Sequence, residues 1–247
     1  MRLLSAGLFV FTILVWGAVS KVTGQTSVPP VPQLDHFKCY LTTDKAVNKS
    51  VVLHDRFGTS PARVLKPVRF CNPADKSHGN YNSGISNPDA HLKIYKLKTG
   101  KERSPKTAVV ANQFGTLQTL KVVRPDVLAV PTQKLPHNPP VNLDHYKGYR
   151  VRGTSINATV RLKDQFNITT TMPLEAVVVM KPVWLLNPAD KEHNQVLTRA
   201  MYPNQHLVCY TITPQNIQKT VEVDNQFGKE KLDLKLSDIL CVPSILF

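Results

Sequence analysis

The chain has 247 residues, of which 42% are hydrophobic, 7% aromatic and 19% charged, with 19 Pro, 11 Gly and four Cys. That length holds one large or two ordinary domains with cores of their own, and the composition excludes wholesale disorder and a disulfide-scaffold miniprotein. A formal charge of +14 favours an anionic partner without naming one.

Met1 and Arg2 precede an uncharged apolar stretch over residues 3–20 (LLSAGLFVFTILVWGAVS). One basic residue, an apolar block and small residues make an export pattern, so 1–24 reads as a signal peptide and 25–33 as a linker. An uncleaved N-terminal anchor is the rival and the one route to membrane contact. Either way the remainder is expected to be secreted, cell-surface or periplasmic, where disulfides are permitted.

The rest is repetitive. LDHFKCY (34–40) returns as LDHYKGY (143–149), and NPADKSH (72–78) as NPADKEH (187–193). This marks a first copy over 34–135 and a second over 143–247, joined by a Pro-rich linker over 136–142. Each copy divides again. HLKIY (91–95) and HLVCY (206–210) continue the series begun by HFKCY and HYKGY. DRFG (55–58), NQFG (112–115), DQFN (164–167) and NQFG (225–228) follow at similar distances. VRFCNP (68–73), VLAVP (127–131), VWLLNP (183–188) and ILCVP (239–243) close the four units.

Within these quarters, VVLHD (51–55), AVVAN (108–112), VRLKD (160–164) and VEVDN (221–225) are β-branched runs ending in an Asx turn. LKVV (120–123) and AVVVMK (176–181) are similar, most Pro residues punctuate such runs, and no helical apolar stripe stands out. The expectation is all-β: two similar sandwich- or barrel-like domains, each built of two repeats of about 55 residues.

His36, His91, His145 and His206 invite a catalytic or metal reading. A residue present in every copy answers a need of the unit itself, so they read as repeated structural residues, and the repeated Tyr and Phe as core anchors. NPADK reads as a turn, and His78 and His193 open long loops (77–88 and 192–203) that differ between copies and suit a specific contact.

Cys39 and Cys71 stand 32 residues apart, as do Cys209 and Cys241. The equivalent positions hold Ile94 and Ala129 in the second quarter and Gly148 and Leu186 in the third, so the sites are filled or emptied together. Bridges within a quarter are the simplest account; pairing between first and fourth quarters would also leave no orphan.

The charge is uneven: 18 Lys/Arg against 7 Asp/Glu over residues 21–140, and 12 against 10 over 141–247. The densest basic segment carries Lys93, Lys96, Lys98, Lys101, Arg103 and Lys106, a candidate surface for an anionic polymer or cell surface. No catalytic string, metal-ligand spacing, cofactor motif or nucleic-acid motif is evident.

The strings DHFKCY (35–40), DRFG (55–58), KPVRFCNPADK (66–76), HLVCY (206–210), NQFG (225–228) and LCVPS (240–244) together resemble an uncharacterised repeat domain of secreted prokaryotic proteins, a domain of unknown function. Two copies would cover nearly the whole chain after its leader. The resemblance implies disulfides at 39–71 and 209–241 and carries no activity to transfer. The functional expectation is an exported non-catalytic protein that binds or forms surface material. The alternative is an extracellular polysaccharide-directed hydrolase.

Overall fold

In this computed structural model, residues 33–100, 107–167 and 175–247 are described; the expected signal peptide, Lys101, Arg103 and Lys106 lie outside them. The first quarter supplies β1 (His36–Thr42), β2 (Lys49–Asp55), β3 (Gly58–His78) and the short β4 (Tyr81–Asn82). The second supplies β5 (Leu92–Thr99), β6 (Thr107–Asn112), β7 (Gly115–Pro131) and β8 (Gln133–Lys134). The third supplies β9 (Tyr146–Arg152), β10 (Ala158–Lys163), β11 (Glu175–His193) and β12 (Val196–Thr198). In the fourth, β13 (His206–Asn225) runs through what the others divide in two, and β14 (Gly228–Leu246) completes the chain. The protein is all-β.

The antiparallel ladders run β1–β3–β5–β7–β9–β11–β13–β14, and β14 pairs back with β1 through Phe37↔Cys241 and Cys39↔Ile239. The circuit is closed. Eight strands make a barrel small enough for side chains to fill. Its interior takes alternate residues from all four quarters, among them Phe37, Leu92, Ile94, Tyr146, Trp184, Leu186, Leu207 and Ile239. Both disulfides, Cys39–Cys71 and Cys209–Cys241, lie in this interior between directly paired strands, and Cys39 Sγ is 3.9 Å from Cys241 Sγ. Where Cys is missing, volume is shared unequally: Ile94 faces Ala129, and Leu186 faces Gly148. A Cβ on Gly148 would stand 2.6 Å from Leu186 Cδ2 and closer still to Val127 Cγ2. Only glycine fits there.

The outward faces of the barrel strands are apolar too, and each is covered by a hairpin from the preceding quarter. Val51, Leu53, Ala62 and Val64 of the first hairpin pack on Tyr95, Leu128 and Val130 of the second quarter. Val221, Val223, Leu232 and Leu234 of the fourth pack on Tyr40 and Phe70 of the first. The second and third hairpins cover the third and fourth quarters in one merged cluster, including Val110, Val122, Tyr149, Val160, Val179 and Tyr210. The hairpins then reach the opposite quarter: β2 pairs with the end of β11, β10 with the end of β3, β6 with the end of β14, and β13 with β8.

Two expectations change. The boundaries 34–135 and 143–247 mark sequence copies rather than separately closed domains, because the described residues form one compact unit whose copies share a barrel. Pro residues do not simply separate strands: Pro67, Pro125 and Pro182 lie within β3, β7 and β11, at register shifts. A residue without an N–H suits a bulge, and the bulge turns the strand from barrel into hairpin.

Candidate functional site

The repeated residues meet across the molecule. At each hairpin tip the Asx side chain accepts the N–H of the Phe two residues on: Asp55 from Phe57 (3.3 Å), Asn112 from Phe114 (2.9 Å), Asp164 from Phe166 (3.1 Å) and Asn225 from Phe227 (2.9 Å). The same side chain then meets the repeated Tyr of the opposite quarter. Tyr40 and Tyr149 donate to Asp164 (2.7 Å) and Asp55 (3.1 Å), whereas Asn112 and Asn225 donate to Tyr210 (2.9 Å) and Tyr95 (3.0 Å). The Phe packs edge-on against that Tyr in all four places. Each Asx also finds a complementary partner. The carboxylates accept Asn72 and Asn187 amides at 3.0 Å, and the amides donate to Ser244 (3.1 Å) and Thr132 (3.0 Å). NPADK is therefore strand rather than turn. Its Asn serves the opposite tip, and its Asp75 or Asp190 accepts a backbone N–H from the following loop.

The four histidines sit on the same strand face as those Tyr residues, close to a cation. Burial, reinforced by Lys76, Lys134 and Lys191, pushes His36, His91 and His145 down to about 3; burial with Arg56 pushes His206 to about 4. They are neutral at neutral pH. The Gln113 and Gln226 amides contact the His36 and His145 rings, His206 Nδ1 donates to Asn187 Oδ1 (3.1 Å), and His91 stacks on Phe70. Burial pushes the Lys76, Lys134 and Lys191 ammoniums down to about 8. Among the described residues no group of three or more His, Cys, Asp or Glu is placed to hold a metal ion.

The loops after NPADK are tied to the barrel by the Asp of the LDH string. Asp35 accepts the Ser86 and Asn87 N–H groups and Asp144 those of Met201 and Tyr202, all at 2.8 Å.

The opposite end of the barrel, where the hairpins leave, is cationic. Of the candidate basic residues described, Lys93 is fully buried and paired with Glu230, which removes it from any surface. Lys96 bonds Asp126 (2.8 Å), and Lys98 lies exposed directly opposite Arg63. Beside them, Lys121 faces Arg152 and Arg124 faces Arg150 across the β7–β9 ladder, all four exposed. Arg150 and Arg152 continue the strand face of Tyr146 and Gly148, which look into the barrel, so they stand on its rim. Arg69 completes the rim in a two-bond pair with Asp238 (2.8 and 2.6 Å). Asp126 is the carboxylate that Lys96 and Arg124 share. Burial would raise its pKa, but bonds from Lys96 and the Trp184 indole (2.8 Å) outweigh that and hold it below the usual carboxylate range.

Two stretches, residues 14–109 and 91–243, match the family described as a repeat of unknown function (DUF7450). The chain belongs to this repeat family. No curated protein and no solved structure matches it. The family supplies no role, so function rests on the rim itself. Two disulfides are compatible with an extracellular location, and no helix among the described residues is long and apolar enough to cross a membrane. The sequence reading found Lys96 and Lys98 but missed Lys121, Arg124, Arg150 and Arg152. They come from two quarters and both copies, and only strand register unites them.

Proposed function

We propose that this is an exported, non-catalytic binding protein that holds an anionic partner on the cationic rim of its barrel. The observation that carries the reading is the pair of like-charged rungs, Lys121–Arg152 and Arg124–Arg150, on adjacent exposed positions of one ladder. Like charges directly opposite each other destabilise a sheet, and an anion laid across them reverses that cost. The non-catalytic part is supported by the repeated Asp and Tyr side chains, which are buried and bonded to one another across the molecule. The test incubates purified protein with acidic and neutral polymers. Salt-sensitive binding to acidic polymers without chain shortening is expected. Equal binding to neutral polymers, or release of fragments as from a hydrolase, would contradict it.

A further inference from the structure

We infer that the occupant of the rim is a linear acidic polysaccharide, seated on Lys121, Arg124, Arg150 and Arg152; this rests on the anion-holding reading above. The two rungs set the Cβ atoms of each pair about 5 Å apart across the ladder and the two β9 arginines about 7 Å apart at the backbone. An extended array of that kind suits a chain bearing acidic groups at intervals better than a single small anion. Three of the four are arginines, whose planar forks bind carboxylate or sulfate in two-bond pairs, as Arg69 already does with Asp238 on the same rim. Among the described residues, Lys121 and Arg152 have no carboxylate within ion-pair distance, Arg150 acts on Asp126 from beyond that distance, and Arg124 reaches Asp126 at 3.7 Å with its side chain 65% exposed. Their donors face solvent.

The chemistry around the array separates this occupant from other polyanions. Single-stranded nucleic acid needs exposed aromatic platforms for its bases. The exposed aromatics among the described residues are Tyr81, on β4, and Phe247, past the end of β14; Trp184 beside the array is buried, with its indole N–H held by Asp126. Peripheral insertion into a bilayer needs a broad apolar face. On this stretch of β7 the exposed hydrophobic side chain is Val123, between cations. A polar, charged, non-aromatic ladder matches a sugar chain whose acidic groups do the binding.

The experiment compares three folded proteins: the parent, the quadruple K121Q/R124Q/R150Q/R152Q variant, and a charge-matched control, K45Q/K219Q/K231Q/K235Q. Binding to heparin and to polygalacturonate is measured by titration over 50–300 mM salt, alongside single-stranded DNA and anionic vesicles, with thermal melts to confirm folding. The parent should bind both polysaccharides more tightly than DNA or vesicles. The rim variant should lose at least tenfold in affinity with a shallower salt dependence, while the control stays within about twofold. Equal losses in both variants, or none in the rim variant, would overturn the site. Tighter parent binding to DNA or vesicles would overturn the polysaccharide assignment and leave the anion-holding reading standing. No binding by the parent to any of the four probes would overturn both.

Discussion

Tyr40 and Asp164 are 124 residues apart, yet their bond closes a hairpin tip onto the opposite quarter. Because the carboxylate also holds Asn72 and the Phe166 N–H, Asp164→Ala strands three donors in the interior. It should cost about 2–4 kcal/mol, and a double-mutant cycle with Tyr40→Phe should show coupling of about 1 kcal/mol or more. Additive effects in chemical denaturation would show that the tips do not brace the barrel. The histidines set the pH response. Their folded pKa values, about 3 for His36, His91 and His145 and about 4 for His206, lie below the ordinary 6.5 of the unfolded chain. The unfolded state therefore binds more protons below pH 6.5. The histidine contribution to stability is full above that value and falls as pH drops toward 4. His91→Leu should remove about one proton from this uptake, reducing the slope of unfolding free energy by about 1.4 kcal/mol per pH unit between pH 6 and 4.5. An unchanged slope would contradict the buried neutral assignment.

At the scale of the element, the sequence showed where strands begin and what stops them, because β-branched runs and Asx tips are local chemistry. It did not show that β3, β7 and β11 continue through Pro, since a bulge depends on the partner strand. The cysteine sites were legible as pairs for a related reason: paired interior positions must fill one volume together. Gly148 is the small half of such a pair. Gly148→Ala should therefore destabilise by about 1–3 kcal/mol, with part of the loss recovered by trimming both clashing neighbours, Val127→Ala and Leu186→Val. A thermal melt in which the single variant is as stable as the parent would contradict the close packing of the barrel interior. The rim was poorly legible because its cations are ordinary surface residues until register aligns Lys121 with Arg152.

At the scale of the molecule, repetition reads as two domains when one copy is matched only with the other. Nothing in a quarter's own pattern says whose barrel strand its hairpin will cover. The structure answers that each hairpin covers the next quarter and its tip reaches the one after, so each copy leaves apolar strand faces that the other must cover. The cationic rim depends on the same interlock, since β7 and β9 belong to different copies. The most direct measurement of this interlocked barrel is thermal unfolding, followed by circular dichroism, of residues 33–135 and 143–247 prepared separately and then mixed. Each alone should lack a cooperative transition, and the mixture should regain one. Cooperative unfolding of either half on its own, unchanged by mixing, would contradict the account.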